Sequence, residues 1–491
     1  MTHLAQLWPA VANEFANINV EMLVTDSRKV QSGCAFVALQ GLQHDARTAI
    51  KTAISAGAVA VFADRGGDWL EDQIIAGAPV IVVDQLAQQL GHLAAKQLAD
   101  PSAAMTVLAV TGTNGKTSIA NLLAGACEVL ARPTGVIGTL GNGRVGQLSA
   151  SVFTTPDPIQ LQSLLASFRD QGLSTVAMEA SSHGLLQGRM NGTEIHTAIF
   201  TNLTRDHLDY HGDMASYAQA KGLLFSWPSL RYAVINADDP QGDVYAQQLA
   251  PRVVCWRYSL DAATQADITA TNLSLSLDGI AMDVATPQGA GRLVSPLLGR
   301  FNASNLLAVL GGLLSINVAL VDALAAIAQV PAVTGRMQCL RAMNSALAVI
   351  DYAHTPDALL HALQAAREHT RGRLWCVFGC GGGRDTGKRP EMGRIADELA
   401  DVVVVTTDNP REEAPESILA HVVSGMARQA DLHVIADRAH AIHWALSQAQ
   451  KNDLVLIAGK GHETYQEVQG VRYPFSDVEQ VRKALALEAT V

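Results

Sequence analysis

A glycine-rich segment at residues 108–126, LAVTGTNGKTSIANLLAGA, has the residue types of a phosphate-binding loop. Its apolar start predicts a strand ending at Val110, a loop at residues 112–116, and a helix from Ser118 onward. Glycines let backbone N–H groups approach an anion, and a helix N-terminus favours negative charge. Lys116 would reach the β- and γ-phosphates and the Thr117 hydroxyl would ligate Mg²⁺. Val110 stands where the full Walker spacing has glycine, but the Lys-Thr pair favours a nucleotide site over a plain turn. The predicted ATP-binding residues here are Gly112, Thr113, Asn114, Gly115, Lys116, Thr117 and Ser118.

Acidic and imidazole side chains follow two further strand candidates. AMEASSHG places Glu179 at a strand end, and FTNLTRDHLDYHGDM supplies Asp206, His207, Asp209 and His211 after another. Ligands of open α/β sheets bind beyond the carboxyl ends of the strands, and Mg²⁺ keeps waters while accepting a few protein oxygens. We therefore expect Glu179 and His207 to serve a metal, whereas Asp206, Asp209 and His211 stay undecided. Lys221 by itself has the pattern of a solvent-exposed helix lysine.

A second glycine cluster, GCGGGRDTGKRP at 379–390, also follows a strand candidate. As a dinucleotide-binding fingerprint it fails, because Arg384 occupies the third glycine position. A turn that presents Arg384, Lys388 and Arg389 to an anion is favoured over a purely structural turn.

Strand and helix patterns alternate through most of the chain, which predicts an α/β fold with parallel sheets covered on both faces. Residues 262–295 interrupt the alternation with a β-rich stretch, and 299–330 has a helical pattern. Breaks at LADPSAAM and PAVTGRM divide the chain into domains 1–98, 99–331 and 332–491.

Composition excludes several classes of protein. The 491 residues carry a net charge of −11, which gives no basic footprint for nucleic acid or an anionic membrane. No apolar run is long enough to span a bilayer, and the N-terminus lacks a secretory pattern. The 6 cysteines are too sparse for a disulfide framework, and Cys376 and Cys380 fit a buried strand better than a zinc site. We expect a cytoplasmic enzyme without a membrane span or a nucleic-acid partner.

Taken together, the motifs resemble the Mur ligase family along nearly the whole chain. They include TDSR, GTNGKT, MEASSHGL, TNLTRDHLDYHGDM, AKGLLF, GRFNASNLLA, TGRM, DYAHTPDAL, VFGCGGGRDTGKRPEMG, DNPR and AGKGHETYQ. The resemblance implies an N-terminal UDP-binding domain, a central P-loop-type ATPase domain and a C-terminal Rossmann-like domain for an amino acid. It also implies ATP as co-substrate, Mg²⁺, and amide formation through an acyl phosphate during peptidoglycan precursor synthesis, and we expect a monomer.

The resemblance further assigns roles residue by residue. Lys116, Lys221, His207 and Glu179 would be catalytic, with Lys221 carbamylated; Thr117 and Glu179 would hold one Mg²⁺, and His207 and the Lys221 carbamate a second. Further ATP contacts would come from Asn302, Asn305, Arg336, Asp351 and His354. In the UDP-linked substrate, the uridine nucleotide would contact Thr25, Ser27, Gln43 and His44, with Leu42 beside them. The muramoyl-dipeptide would be held by Thr154, Thr155, Ser181, Gln187 and Arg189.

The DNPR segment at 408–411 indicates which amino acid is added. meso-Diaminopimelate differs from lysine by a carboxylate beside its distal ammonium group, and Arg411 could bind that carboxylate bidentately. The predicted acceptor-binding residues are Arg384, Asp408, Asn409, Pro410, Arg411, Gly459 and Glu463. A lysine-adding relative, a folylpolyglutamate synthetase and a P-loop switch without ligase activity are the alternatives.

Overall fold

The computed structural model describes residues 2–41, 44–261, 264–427 and 431–487. Its backbone separates into two compact units, residues 1–258 with 311–318, and residues 259–310 with 319–491. The fold is mixed α/β, as predicted. The domain boundaries 1–98, 99–331 and 332–491 stay predictions.

The N-terminal part of the first unit is a small α/β layer. Its sheet has the strand order Met22–Val24, Cys34–Ala38, Ala60–Asp64, Ala78–Val83 and Gln73–Ile75, parallel except for the last pairing. A short antiparallel pair joins Thr2–His3 to Asn19–Val20. The accompanying helices are Leu4–Leu7, Ile50–Ser55 and Leu86–Gln97. Short 3₁₀ turns occupy Asn13–Phe15, Ser27–Lys29 and Ala46–Ala49.

The remainder of this unit is organised by a mainly parallel sheet. Its strand order is Gln147–Ser149, Gly141–Arg144, Thr134–Gly138, Thr175–Glu179, Thr106–Thr111, Thr197–Phe200, Tyr232–Asn236 and Val254–Ser259. The sheet departs from the parallel expectation at this edge, where Gly141–Arg144 pairs antiparallel with both Gln147–Ser149 and Thr134–Gly138. These strands are joined by hairpins, and a hairpin reverses the direction of the chain. The helices are Lys116–Val129, Pro158–Asp170, Ser182–Leu186, Leu208–His211, Met214–Gly222 and Pro240–Gln247, with 3₁₀ turns at Pro101–Ala104 and Leu223–Ser226.

The order of this sheet places the phosphate-loop strand, Thr106–Thr111, between the strands that end at Glu179 and Phe200. Because parallel strands present their carboxyl ends at one edge, the loops after these three strands meet there. Buried side chains such as Val107, Met178 and Phe200 form the core beneath that edge.

The second unit contains the predicted β-rich stretch as an antiparallel meander of Ile268–Ser276, Gly279–Thr286 and Gly289–Ser295. The helical pattern over 299–330 forms two helices, Arg300–Ser315 and Leu320–Ile327, rather than one, and residues 311–318 of this stretch belong to the first unit. Asn317 lies between them with φ of +59°, a left-handed backbone conformation that interrupts a helix.

The C-terminal sheet of this unit has the order Gln338–Leu340, Leu347–Asp351, Leu454–Ala458, Leu374–Phe378, Val402–Val405 and Leu432–Val434, parallel except for the first strand. Its helices are Pro356–His369, Lys388–Leu399, Pro415–Val423, Arg438–Gln448 and Asp477–Ala484. A hairpin of Tyr465–Val468 and Val471–Pro474 completes it. Cys376 and Cys380 are buried free thiols, as expected.

Candidate active site

The predicted phosphate loop connects a strand to a helix, and the helix begins at Lys116, two residues before the expected Ser118. Gly115 has φ of +86° at the position before the helix, and Gly112 has φ of +145°. A Cβ at Gly112 would collide with the Thr201 side chain. The left-handed Gly115 lets the chain turn directly into the helix, so Lys116 and Thr117 stand in its first turn.

Two lysines converge on one carbonyl oxygen of this loop. Lys116 Nζ donates to the Gly112 and Thr113 oxygens at 2.8 Å each, and Lys221 Nζ donates to the same Gly112 oxygen at 2.7 Å. Lys221 is 1% exposed, so the solvent-exposed alternative for this residue is wrong. The helix Met214–Gly222 carries it inward, and its Nζ lies 4.4 Å from the centre of the Tyr217 ring. Burial, followed by the charge of Lys116, lowers the pKa of Lys221 to about 6.

Glu179 stands at its strand end with only 1% exposure. Its Oε2 accepts a hydrogen bond from Thr117 Oγ1 at 2.9 Å, and its Oε1 accepts one from the Thr139 backbone N–H at 2.7 Å. The predicted pair Thr117 and Glu179 is therefore in direct contact. Sequence reasoning missed Thr139, whose position just after the neighbouring strand Thr134–Gly138 was the available signal.

His207 lies on the loop that follows the strand Thr197–Phe200, with φ of +52°, an unusual conformation for a residue other than glycine. Its Nε2 is 3.3 Å from Asp206 Oδ2, and its ring packs 6.2 Å from the ring of Tyr217, centre to centre. Because Lys221 also contacts Tyr217, this ring joins the two predicted metal-binding residues. Asp209 is exposed on the following short helix.

His211, which the sequence left undecided, is a buried residue of the same segment. Its Nε2 lies 2.9 Å from Ser182 Oγ, and the ring contacts His183 at 5.3 Å between centres. Burial, followed by the charge of His207, lowers the pKa of His211. The ring therefore contacts the first residues of the helix Ser182–Leu186.

The five residues predicted to hold the muramoyl-dipeptide lie in one local hydrogen-bonded network. Arg189 donates to the Thr155 carbonyl at 2.8 Å and to Gln187 Oε1 at 2.9 Å. The Ser181 hydroxyl donates to Thr155 Oγ1 at 3.0 Å, and Thr155 in turn donates to the Glu179 carbonyl at 2.8 Å. Thr154 lies 3.1 Å from the Thr139 hydroxyl. The network therefore runs directly into the Glu179 strand end, and Thr155 at its centre is fully buried.

The residues predicted to contact uridine lie in the N-terminal layer. Thr25 is exposed, and Ser27 begins the short 3₁₀ turn whose N-cap is Asp26. His44 is exposed, and its carbonyl accepts a hydrogen bond from Gly41 N–H at 3.0 Å. Leu42 and Gln43 lie outside the described residues.

The remaining ATP-site candidates belong to the second unit and form two groups. Asn302 and Asn305 are buried neighbours on the helix Arg300–Ser315, joined by a hydrogen bond of 3.0 Å. Asp351 accepts a hydrogen bond from Met337 N–H at 2.8 Å, and its burial raises its pKa despite the charges of Arg336 and His354. Arg336, Asp351 and His354 are thus close enough to interact electrostatically.

The DNPR segment follows the buried strand Val402–Val405 and faces the loop after Leu454–Ala458. Asn409 Nδ2 donates to Glu463 Oε2 at 2.9 Å. A Cβ at Gly459, whose φ is +119°, would come within 2.6 Å of Asp408 Oδ2, so glycine is required there. Asp408, Asn409, Gly459 and Glu463 therefore lie side by side, and we call this group the amino-acid pocket; its role in binding an acceptor stays a prediction.

Arg411 is held at the edge of this pocket. Its Nη1 donates to the Gly382 carbonyl at 2.8 Å, and its Nε is 3.9 Å from Glu467 Oε2. The side chain is one quarter exposed, and the residue has φ of +51°. Pro410 is buried behind it. The guanidinium is thus ordered beside the pocket yet accessible to a carboxylate.

The second glycine cluster forms the opposite loop of this pocket. Buried Arg389 bonds to the Gly381 carbonyl at 3.1 Å and pairs with Glu413 at 2.9 Å, which lowers the pKa of Glu413. Lys388 donates to the His354 carbonyl at 2.9 Å. Arg384 remains exposed. Of the three predicted cations, only Arg384 therefore stays in solvent, while Arg389 stabilises the loop.

Sequence reasoning missed one buried cation here, Lys460. It belongs to the AGKGHE motif, from which only Gly459 and Glu463 were predicted. Its position directly after Gly459 at a parallel strand end was the available signal.

Comparisons with known families match three successive segments. Residues 19–98 match "Mur ligase family, catalytic domain", residues 110–313 match "Mur ligase middle domain", and residues 335–461 match "Mur ligase, glutamate ligase domain".

Two curated relatives are similar over almost their full lengths. A UDP-N-acetylmuramoyl-L-alanyl-D-glutamate–2,6-diaminopimelate ligase of Chromobacterium violaceum is 47% identical, with 99% of this chain and 98% of the relative covered. The enzyme of the same name from Pseudomonas aeruginosa is 45% identical, with 98% of each chain covered.

Solved structures show the same fold. One of a UDP-N-acetylmuramoyl-L-alanyl-D-glutamate–2,6-diaminopimelate ligase is 39% identical, with a TM-score of 0.81 over 99% of both chains. A MurF ligase from Thermotoga maritima in complex with ADP is 18% identical, with a TM-score of 0.58 over 95% of this chain and 97% of that one, and shares the fold. Among the helices in the described part of the chain, none has the length and apolar character needed to span a membrane.

Proposed function

Because the chain belongs to the Mur ligase family, we propose that it is an ATP-dependent ligase that adds meso-diaminopimelate to UDP-N-acetylmuramoyl-L-Ala-D-Glu in peptidoglycan precursor synthesis. The observation that carries the proposal is the 47% identity, over 99% of the chain, to a relative named for this reaction. The side chains around the phosphate loop and those of the amino-acid pocket are suited to the chemistry of such a reaction.

The first step joins a carboxylate to the γ-phosphoryl group of ATP. The carboxylate oxygen forms a bond to phosphorus while the bond to the β-phosphate oxygen breaks, which yields an acyl phosphate and ADP. Both reactants are anions, so positive charge must lie between them. Lys116, now bonded to the Gly112 and Thr113 carbonyls, would turn to the phosphates when a nucleotide enters the loop. Positioning of both reactants supplies much of the remaining acceleration.

The contact between Thr117 Oγ1 and Glu179 Oε2 fits one Mg²⁺ ion. Magnesium prefers oxygen ligands and keeps places for water and phosphate, and these two side chains offer two adjacent oxygens. When bound, the ion would neutralise phosphate charge. Thr139 holds the Glu179 carboxylate in the required orientation.

Lys221 fits the role of a carbamate because its amine is largely uncharged. Carbon dioxide reacts with a neutral amine, and the pKa of about 6 leaves Lys221 mostly neutral at pH 7.5. The carbamate would place a negative charge beside Lys116, where the unmodified Lys221 places a second lysine amine on the same Gly112 carbonyl. With His207 near the same Tyr217 ring, it would hold a second Mg²⁺ ion.

In the second step the amine of diaminopimelate attacks the acyl carbon, and inorganic phosphate leaves with one of the original carboxyl oxygens. Asp408 and Glu463 would bind ammonium groups, while Arg411 binds the distal carboxylate. Lysine would leave Arg411 without that partner, a mismatch of about 1–3 kcal/mol or more for a charged group. Arg384 would bind the other carboxylate from its exposed position.

We further propose that the enzyme acts in the cytoplasm as a monomer, with UDP bound by the N-terminal layer. The net charge of −11 favours small-molecule ligands over nucleic acid as the partners of this protein.

The decisive test is a matrix of amino-acid acceptors with ATP and the UDP-linked dipeptide. Phosphate release should require both the dipeptide and diaminopimelate, and ¹⁸O placed in the dipeptide's terminal carboxylates should appear in the released phosphate. A nucleotide switch would release phosphate without either substrate. Lysine or glutamate as the better acceptor would contradict the assignment of substrate.

A further inference from the structure

Lys460 is a cation with no exposed surface beneath the amino-acid pocket. Its Nζ donates to Asn409 Oδ1 at 2.9 Å and to Glu463 Oε2 at 3.1 Å, and it lies 3.7 Å from Asp408 Oδ1. An ammonium group has three donors and no acceptor. The surrounding oxygens therefore match it, and two of the three belong to carboxylates.

The contacts of Lys460 fix the amide of Asn409. Asn409 Oδ1 accepts from Lys460 Nζ and from Glu467 N–H at 2.9 Å, while its Nδ2 donates to Glu463 Oε2 at 2.9 Å. Both ends of the amide are thus engaged within the protein. Asn409 therefore links the two loops, and Lys460 contributes, together with Glu467 and Glu463, to holding its amide in one orientation.

The charges around the pocket balance only because Lys460 is present. Asp408, Glu463 and Glu467 contribute three negative charges, and Lys460, Arg411 and Arg472 contribute three positive ones, Arg472 through its contact of 3.8 Å with Glu467. Without Lys460, Asp408 and Glu463 would lose the ammonium group that contacts both of them, and negative charge would exceed positive charge in the pocket. Such a pocket repels a second carboxylate and attracts a ligand with net positive charge.

We propose that Lys460 is a positioning residue that sets the preference for an acceptor with two carboxylates over lysine. It does so by offsetting Asp408 and Glu463 and by orienting Asn409, without touching the acceptor itself. This inference rests on the proposed function, since it deepens the assignment of the same pocket. The preference for diaminopimelate over lysine then depends on both Arg411 and Lys460.

The test compares Lys460→Met with Lys451→Met, which removes the same charge from an exposed lysine of the same unit. Steady-state rates of phosphate release are measured with diaminopimelate and with lysine. For Lys460→Met we expect the KM for diaminopimelate to rise at least about tenfold and the diaminopimelate-to-lysine ratio of kcat/KM to fall at least about tenfold, since a buried charge pair is broken. Lys451→Met should stay within about twofold of the parent chain for both quantities.

A second pair of variants separates charge balance from damage to the fold. The double variant Asp408→Asn, Lys460→Met lacks one charge of each sign. Its diaminopimelate-to-lysine ratio of kcat/KM should therefore return toward the value of the parent chain. If the loss in Lys460→Met came from damage to the fold, the double variant would instead be more impaired than Lys460→Met. If Lys460→Met fails to fold, the double variant is compared with Asp408→Asn instead. The diaminopimelate-to-lysine ratio of kcat/KM should then be at least about tenfold lower in the double variant than in Asp408→Asn.

The outcomes distinguish the two proposals. A parent enzyme that does not use diaminopimelate contradicts the proposed function. A parent enzyme that uses it, combined with a Lys460→Met variant whose preference equals that of Lys451→Met, overturns the role of Lys460. A KM that rises for diaminopimelate and lysine by the same factor also overturns it, because only general loosening of the pocket would then be indicated.

Discussion

Replacement of Lys221 by alanine tests the carbamate and the metal site together. The side chain is 1% exposed and its pKa is about 6. At pH 7.5 the neutral form then exceeds the ammonium form roughly thirtyfold, whereas an ordinary lysine is neutral in only about one molecule in a thousand. Burial therefore raises the concentration of carbamate-forming amine about a thousandfold. We expect Lys221→Ala to lose at least about 100-fold in turnover, because the proposed carbamate ligand of Mg²⁺ can no longer form.

The assay is ligand-dependent phosphate release from pH 6 to 8.5, in buffers depleted of carbon dioxide and in bicarbonate. Activity of the parent enzyme should fall on depletion and recover with bicarbonate, most clearly above pH 6, where the amine is neutral. Lys221→Ala should be restored in part by a short carboxylic acid. The control is Lys51→Ala, an exposed lysine of the N-terminal layer. Full activity of Lys221→Ala without any addition would refute the reasoning.

The same pKa predicts a stability trend for the unmodified chain. Between about pH 6 and 10.5 the unfolded state binds a proton at Lys221 that the folded state does not. Folding stability from this residue therefore increases as pH rises through that window. Thermal unfolding in carbon-dioxide-free buffer should show this slope in the parent and a smaller slope in Lys221→Ala. Equal slopes would contradict the burial effect.

Four other substitutions have defined outcomes. Arg411→Ala should raise the KM for diaminopimelate about 5- to 150-fold, equivalent to about 1–3 kcal/mol, while ATP binding measured by fluorescence titration stays unchanged. An unchanged KM would contradict the proposed contact between Arg411 and the distal carboxylate. Glu179→Gln should lower turnover at least about tenfold and raise the Mg²⁺ concentration needed for half-maximal rate. Gly112→Ala should abolish nucleotide binding in the same titration, since a Cβ has no room in the loop. Arg438→Met should lower the free energy of unfolding by about 3–5 kcal/mol in denaturant titrations, because it leaves the fully buried Asp477 unpaired; a change below about 1 kcal/mol would refute that.

The parts of the site that the sequence predicted are those with local signals. The strand, glycine turn and helix of the phosphate loop occupy consecutive residues, so the spacing of Gly112, Gly115 and Lys116 already describes the geometry. Glu179 was predictable because strand ends in parallel sheets meet at one edge. The chain alternation likewise predicted the α/β class.

The parts that local sequence patterns could not predict depend on contacts across long stretches of chain. The burial of Lys221, whose catalytic role only the family resemblance implied, and the missed residue Lys460 are the two examples. Lys221 bonds to a carbonyl 109 residues away, and nothing in AKGLLF alone shows that its helix turns this side chain inward. Lys460 reaches Asn409 over 51 residues. A lysine in a local pattern looks solvent-exposed on average, because long charged side chains are seldom buried without partners. Only the tertiary structure supplies those partners.

The two buried lysines, Lys221 and Lys460, show how similar positions lead to opposite chemistry. Both lie at the carboxyl edge of a mainly parallel sheet, and both are at most 1% exposed. Lys221 bonds to a backbone carbonyl and faces the positive charge of Lys116, so burial favours the neutral amine that can be converted into an anion. Lys460 contacts the carboxylates of Asp408 and Glu463, which stabilise its positive charge. The neighbours, rather than the burial itself, therefore decide that one lysine is suited to become a metal ligand while the other acts as a fixed counter-charge.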